Sequence, residues 1–342
     1  MEDQITYIFG AGASSQSMPL NANFVERFEL FIFFIRDLES SKKKELFLSQ
    51  CEEFLKSVRS HLSFDTFFKK LFHNDNDMQI KTYKKIILVY FIFEHFIKFP
   101  NNIEASKMIS AAGKKFNIDP RYDALIAGLL KPLKQPVFFN KVNFITWNYD
   151  LNLMTALRNF LFPNGSLQAI FRNMTLGHNK GFSLSDDSKL IHLNGIIYHP
   201  NIDGADQIDY ERLRTFLGEV IEKEFFGDSM NAHANHISFA WETYENDKTK
   251  IQAEFLQQAM GYVHNSMNIV IIGYSFPLYN RLIDLFYLNE ATLLNKNIYI
   301  QDPDADNLVI TFREGFMSKR YYSHCQPIKE IRSFYVPKDV FI

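Results

Sequence analysis

Four short stretches of the chain carry glycines and polar side chains that could hold a charged ligand and move a proton. They are GAGAS at residues 10–14, TWNYD at 146–150, HLNG at 192–195 and GYS at 273–275. Each follows an apolar run typical of a buried strand. Glycine turns let backbone N–H groups approach an anion, while asparagine and histidine can orient a hydroxyl or accept its proton. We expect the chemistry of the chain where these stretches meet.

The first stretch predicts a cradle for a diphosphate. An apolar strand from Ile5 runs directly into Gly10, Ala11, Gly12, Ala13 and Ser14. The pattern GxGxxS lacks the third glycine of the usual dinucleotide fingerprint. No acidic residue ends a second strand about 20 positions further on, where a dehydrogenase holds the ribose. Strand-to-glycine turns also occur where nothing binds, so a purely structural turn stays open.

The second and third stretches supply the candidate catalytic side chains. Thr146, Asn148 and Asp150 follow a β-branched run, and polar residues at such strand ends face the ligand edge of a doubly wound sheet. Alternatively, Asn148 and Asp150 only cap the next helix. His192 stands at another strand end beside Gly195, although a lone histidine of this kind is more often structural.

Two later strand ends are candidates for the other side of the ligand. Gly273, Tyr274 and Ser275 follow the clearest buried strand, residues 268–272, and are expected on the adenosine side. Asp302 could accept ribose hydroxyls, although a plain turn explains Asp-Pro-Asp equally well. His233 and His236 have no acid or cysteine at ligand spacing, which disfavours a metal site.

The elements that must position these residues form an α/β pattern. We expect a doubly wound, mostly parallel Rossmann-like sheet from residues 1–39 and 136–342, with 296–301 as the final parallel strand. We expect residues 40–135 to form an all-helical insertion, which could provide a regulatory surface or an oligomer interface. The first helix is predicted from an N-cap at Asn23 to about Leu38. Further helices are predicted at 42–60, 64–72, 79–99, 106–116 and 122–130.

Composition favours a cytoplasmic protein without a membrane span. A formal charge of −2 over 342 residues gives no bulk basic field for nucleic acid. The apolar run 86–93 is well short of the ~20 residues that a spanning helix needs. Two cysteines cannot supply a four-thiolate zinc site. The first residues show no basic region of a signal peptide.

Taken together, the four stretches resemble the sirtuin superfamily in residue type and in order. They are GAGAS, Thr146-Trp147-Asn148-Tyr149-Asp150, His192 with Gly195, and Gly273-Tyr274-Ser275. The similarity is greatest to the sirtuin-like NAD hydrolases of bacterial antiphage defence. It covers the α/β parts of the chain. The two Cys-x-x-Cys pairs and the Phe-Arg element of deacylase sirtuins are absent, which disfavours protein deacylation.

The resemblance implies cleavage of NAD to nicotinamide and ADP-ribose, which depletes NAD in abortive infection. His192 would act as general base, Asn148 would position ribose or water, and Asp150 would orient neighbouring groups. NAD would be the substrate and no zinc would be needed. A homo-oligomer is expected, with a partner in trans such as a HerA-type ATPase or a short Argonaute.

Two other functions stay open from the sequence. A module that senses NAD or ADP-ribose without turnover would keep the same turns. A nicotinamide-dependent oxidoreductase would need a ribose-binding acid that the chain lacks at the usual distance.

Overall fold

The computed structural model describes residues 4–97, 118–134, 136–139, 141–161, 182–185, 188–197, 210–244, 249–319 and 324–341. A seven-stranded sheet runs through them in the order β3-β4-β2-β1-β5-β6-β7. The strands are β1 (Ile5–Phe9), β2 (Val142–Thr146), β3 (Phe182–Ser185), β4 (Ser188–His192), β5 (Asn268–Ile272), β6 (Asn297–Gln301) and β7 (Cys325–Ile328). Only β3, at one edge, pairs antiparallel with its neighbour.

The six parallel strands follow the order of a Rossmann-like fold. From β1 the chain moves outward to β2 and β4, then returns beside β1 with β5 and continues to β6 and β7. Every residue of β1, β2 and β5 is buried, as expected for strands covered on both faces. The direction of winding therefore reverses between β1 and β5, where such sheets open a ligand crevice beyond their carboxyl ends.

Helices cover both faces of this sheet. They are α1 (Phe24–Arg36), α2 (Lys42–Val58), α3 (Phe64–His73), α4 (Asp77–Phe96), α5 (Pro120–Leu129), α6 (Asn152–Leu161), α7 (Tyr210–Glu219), α8 (Asp228–Ala234), α9 (Thr249–Asn265), α10 (Arg281–Tyr287), α11 (Glu290–Leu293) and α12 (Ala305–Phe316). The predicted helices at 42–60, 64–72, 79–99 and 122–130 correspond to α2–α5 within a few residues at each end. The prediction at 106–116 lies outside the described residues.

Two apolar clusters lie on opposite faces of the sheet, because alternate side chains of a strand point in opposite directions. Tyr7 and Phe9 of β1 belong to the larger cluster, which contains most of the aromatic side chains of α1–α4. Ile8 belongs to the smaller one, under α9–α12. Rings in the larger cluster pack closely; the centroids of Phe28 and Tyr90, for example, are 4.8 Å apart.

The helices α2–α4 do not have a core of their own. Their buried side chains join the same cluster as β1 and α1, and the later segment 210–244 joins it too. Phe47 of α2 packs edge-on against Phe225 at 4.6 Å, and Phe68 of α3 packs on Phe239 at 4.5 Å. One apolar layer over this face is therefore shared by α2–α4, by α5 and α6, and by the later segment 210–244.

One local prediction was wrong. Strand 296–301 is not the final parallel strand, because β7 pairs parallel with it, with Cys325 opposite Ile298. Asn23 is the N-cap residue of α1, as predicted, but its side chain makes no capping hydrogen bond; its Oδ1 instead accepts from the backbone N–H of Leu20 at 2.7 Å, reaching backward into the preceding turn. Within the described parts of the chain, no helix has both the length and the apolarity required to cross a bilayer.

Candidate active site

The four candidate stretches begin at the same edge of the sheet. Phe9, the last residue of β1, pairs with Thr146 of β2 on one side and Ile272 of β5 on the other. Thr146 in turn pairs with His192 of β4. Because these strands are parallel and in register, the residues that follow them meet at the carboxyl edge, across the point where the winding reverses.

The glycine turn after β1 packs backbone-to-backbone on the turn after β5. Gly10 donates its N–H to the carbonyl oxygen of Ile272, and Gly12 donates to that of Gly273, both at 2.9 Å. A Cβ placed on Gly273 would lie 2.2 Å from the backbone nitrogen of Ala13, and one on Gly10 would lie 2.5 Å from the Gly273 carbonyl oxygen. These glycines are required by this close contact, whether or not a ligand binds.

This packing limits how the turn could hold a diphosphate. Residues 11–14 form one 3₁₀ turn, in which the N–H of Ala13 bonds to the carbonyl oxygen of Gly10 at 3.0 Å. The amides of Gly10, Gly12 and Ala13 are thus engaged within the protein. Ala11 is exposed at the tip of the turn, so its backbone is the part most open to a ligand.

Asn148 connects the turn after β2 to the glycine turn. Its buried Nδ2 donates to the carbonyl oxygen of Gly10 at 3.0 Å and to Oγ of Ser14 at 3.2 Å, and its own N–H donates to Oγ1 of Thr146 at 3.0 Å. An amide nitrogen has two protons, and both are used here. Oδ1 is therefore the atom of this side chain that remains to accept from a ligand.

His192 lies beside Asn148 with an unusual electrostatic environment. Its Nδ1 is 3.2 Å from the Asn148 carbonyl oxygen, which favours a proton on Nδ1. Its Nε2 is buried and has no hydrogen-bond partner among the described residues. Burial lowers the pKa of the imidazole to about 4, although the backbone at Asn148 and Gly195 partly opposes this shift. The ring is neutral at physiological pH, with a lone pair on Nε2.

Asp150 behaves as the capping alternative predicts. Its Oδ1 accepts from the N–H of Asn152 at 2.9 Å and from Nδ2 of the same residue at 2.7 Å, where α6 begins. Burial raises the pKa of the carboxyl, while hydrogen bonds from Asn152 and Ser14 oppose the shift. Asp150 therefore supports the turn and lies close to Ser14.

Gly195 and Tyr274 have structural reasons for their positions. Gly195 has a φ of +78°, and a Cβ there would lie 1.7 Å from the His236 carbonyl oxygen, so this glycine permits contact with the segment after α8. The Tyr274 ring is buried and stacks on Trp147, with centroids 5.7 Å apart. Its backbone, rather than its ring, borders the glycine turn.

Ser275 and Asp302 are the candidates nearest to solvent. Ser275 is exposed and Asp302 is half-buried. Asp302 follows β6, whose last residue Gln301 accepts from the N–H of Gly273 at 2.9 Å. The Asp302 carboxylate also accepts from the N–H of Asp304 at 2.9 Å, as in a plain turn, and burial raises its pKa. Both residues are thus placed beside the β5 turn.

Sequence reasoning missed the support that α5 gives to the glycine turn. Arg121 donates to the carbonyl oxygen of Ala13 at 3.0 Å while its guanidinium is paired with Asp119. The Tyr122 hydroxyl is 3.0 Å from Oγ of Ser14. The only available signal was Asp119-Pro120, an N-cap followed by a first-turn proline, which marks a helix start but not its target.

No group of three or more His, Cys, Asp or Glu side chains in the described ranges is placed to hold a metal ion. Cys51 and Cys325 are both buried thiols, one in each apolar cluster. Neither the protein-family models nor the curated proteins compared with this chain give a match.

Proposed function

We propose that this protein hydrolyses NAD to nicotinamide and ADP-ribose. The observation that carries the proposal is the hydrogen-bonded connection from His192 through Asn148 to Gly10 and Ser14, at the reversal point of a Rossmann-like sheet. It joins a neutral base, an amide and a glycine turn at the edge where such sheets bind nucleotides. The resemblance of the same four stretches to sirtuin-like NAD hydrolases supports the choice of substrate.

The reaction does not require a strong general acid from the protein. The nicotinamide ring of NAD carries a positive charge, so the bond between its nitrogen and the ribose carbon breaks with the electron pair on the ring, which leaves neutral. The ribose carbon becomes oxocarbenium-like, as in glycoside hydrolysis. Water adds to it, and the water proton goes to Nε2 of His192. With a pKa of about 4, His192 is a weak base, and the reaction would depend on the high electrophilicity of the ribose carbon.

The other residues would bind and orient. Oδ1 of Asn148, the free acceptor of that side chain, would take a ribose hydroxyl or the attacking water. The backbone at Ala11 would meet the diphosphate, while Gly273, Ser275 and Asp302 would border the adenosine. The turns that carry these groups would be held in place by Thr146, Asp150, Arg121 and Tyr122.

The test is nicotinamide and ADP-ribose release, followed by chromatography, from purified protein with and without the products of neighbouring genes. His192→Ala and Asn148→Ala should each lower turnover by at least ~100-fold. His264→Ala is the control, since His264 is exposed at the end of α9. Calorimetric NAD binding without turnover in the wild type would indicate a sensing module instead. Reduced nicotinamide formed with a co-substrate would indicate an oxidoreductase.

We further propose that activity depends on assembly, with more copies of the chain or with a defence partner such as a HerA-type ATPase or a short Argonaute. Two large apolar side chains of the helical layer are strongly exposed, Leu62 at 92% and Met78 at 83%. Size-exclusion chromatography with light scattering should show an oligomer or a complex. A fully active monomer would contradict this proposal.

A further inference from the structure

On the face of the sheet that carries the smaller apolar cluster, a closed set of contacts joins the turns after β2 and β5. Trp147, one residue before Asn148, donates its Nε1 to the hydroxyl of Tyr287 at 3.1 Å. The Trp147 ring stacks on that of Tyr274, with an interplanar angle of 9°. Both tyrosine hydroxyls reach one carboxyl group, that of Asp284. We call Trp147, Tyr274, Asp284 and Tyr287 the α10 clamp, since two of its members lie on α10.

Asp284 is the centre of the α10 clamp. The hydroxyl of Tyr274 lies 2.9 and 2.8 Å from its two carboxyl oxygens, and the hydroxyl of Tyr287 lies 3.4 Å from Oδ1. The Asp284 side chain is fully buried, at 0% exposure. Asn280 donates to the Tyr274 hydroxyl at 3.0 Å, which fixes that hydroxyl from a second side. A buried carboxyl group in such a place is costly unless its hydrogen bonds are satisfied.

The α10 clamp reaches the candidate active site through two peptide connections. Trp147 precedes Asn148, whose amide bonds to the glycine turn, and Tyr274 follows Gly273, whose carbonyl oxygen accepts from Gly12. The hypothetical Cβ of Gly10 would lie 2.6 Å from Cα of Tyr274, so the glycine turn rests directly on this residue. The two turns flank β1, and the clamp ties them together beneath it.

We propose that Asp284 is a positioning residue for the hydrolysis reaction, holding Asn148 and Gly273 at a fixed separation around the glycine turn. This inference rests on the proposed function. Asp284 does not touch the substrate; it acts through Tyr274 on one side and through Tyr287 and Trp147 on the other. Small misplacements of a catalytic group can cost a factor of ~100 in rate, so a clamp of this kind affects turnover more than binding.

The test compares Asp284→Ala with Asp284→Asn. The amide oxygen of asparagine can still accept from the tyrosine hydroxyls, whereas alanine removes the centre of the clamp. We expect Asp284→Ala to lower kcat by ~10-fold or more with less than a ~3-fold change in KM, and Asp284→Asn to restore kcat to within ~3-fold of the wild type. Leu293→Ala is the control for stability alone, since Leu293 is buried in the same apolar cluster but lies on α11, outside the α10 clamp.

A second readout does not need turnover. The chain has two tryptophans, so a Trp241→Phe background leaves Trp147 as the only one. In that background, Asp284→Ala should shift the emission of Trp147 to longer wavelength and increase its quenching by acrylamide, while Asp284→Asn and Leu293→Ala should not. If Asp284→Ala matches Leu293→Ala in emission and in kcat, the inference is overturned. If the emission shifts but the wild type neither binds nor cleaves NAD, the clamp exists and the proposed function fails.

Discussion

Gly12 donates its N–H to the carbonyl oxygen of Gly273 at 2.9 Å, and the two backbones lie in direct contact. Gly12 follows β1 and Gly273 follows β5, so the contact bridges the place where the winding of the sheet reverses. Gly273 also has a φ of +61°, in the left-handed region that favours glycine. Both its conformation and its neighbours therefore exclude a side chain.

Gly273→Ala should be strongly destabilising. The left-handed conformation alone costs about 1–2 kcal/mol for an L-residue, and the new Cβ would meet the backbone of Ala13, which cannot move as a flexible side chain can. We expect a loss of more than ~2 kcal/mol in the free energy of unfolding, measured by urea titration.

Gly261→Ala provides the matched control for this substitution. Gly261 lies within α9 with nothing within 4 Å of its hypothetical Cβ. Alanine there should stabilise the protein by ~0.5–1 kcal/mol. A Gly273→Ala variant as stable as the wild type would show that the two turns are not packed as described.

The buried pair of Arg27 and Glu94 links α1 to α4 and predicts a second effect on stability. Their side chains are 1% and 0% exposed, and Arg27 Nε is 3.0 Å from Glu94 Oε1. Removing one partner leaves the other charge buried, so Glu94→Gln should cost ~3–5 kcal/mol in urea unfolding. Arg27→Met combined with Glu94→Leu should recover most of that loss, because no charge is then buried.

An exposed pair gives the comparison for this prediction. Arg36 and Glu52 are 2.6 Å apart, but both side chains are about half exposed. Glu52→Gln should change the free energy of unfolding by less than ~1 kcal/mol. Equal effects of Glu94→Gln and Glu52→Gln would contradict the assignment of the Arg27–Glu94 pair to the core.

The strands around the site could be predicted because their sequence pattern is continuous and apolar. The run 268–272 was predicted with the bounds that the structure has, and the polar residues after β2 and β4 were placed at the correct edge. Parallel strands buried on both faces leave this pattern in any sequence. The edge strand β7 lacks this pattern, since Pro327 lies within it. In a sequence, proline indicates either an edge strand or a segment that is not a strand.

The partners of the site residues could not be predicted. Arg121 and Tyr122 reach Ala13 and Ser14 across 108 positions of sequence, and no local pattern indicates which turn a helix start will meet. The direction of the Tyr274 ring is a similar case. Its sequence neighbours indicated a ligand turn, whereas the apolar cluster and the carboxyl group of Asp284 determine where the ring packs.

His192 should remain neutral in the folded protein at pH values well below the ordinary pKa of a histidine. Burial lowers its pKa from the ordinary histidine value of 6.5 to about 4. The resonances of its ring, assigned by their loss in His192→Gln, should not titrate between about pH 5.5 and pH 7.5 in an NMR experiment. The kcat/KM of NAD hydrolysis should likewise show no acidic limb from this group in that range. A titration near pH 6.5 would place the ring in water and remove the electrostatic argument for its role.

Asp284 should make the protein less stable as the pH rises. Burial raises its pKa from 3.8 to about 8, although the tyrosine hydroxyls and Arg281 oppose the shift. The folded state therefore keeps a proton that the unfolded chain releases above about pH 4. Between about pH 4 and pH 8, this group alone lowers the free energy of unfolding by up to ~1.4 kcal/mol per pH unit; above pH 8 its effect is constant.

Asp284→Asn should remove this dependence, because asparagine has nearly the same shape and does not ionise. Urea unfolding at a series of pH values should give curves for the variant and the wild type that approach each other near pH 4 and separate toward pH 8, with the variant more stable. Asp65→Asn should act similarly over a narrower range, since burial raises the pKa of Asp65 to about 7. Parallel curves for Asp284→Asn and the wild type would mean that the carboxyl group is ionised in the folded protein, and that the α10 clamp holds a charge rather than a neutral acid.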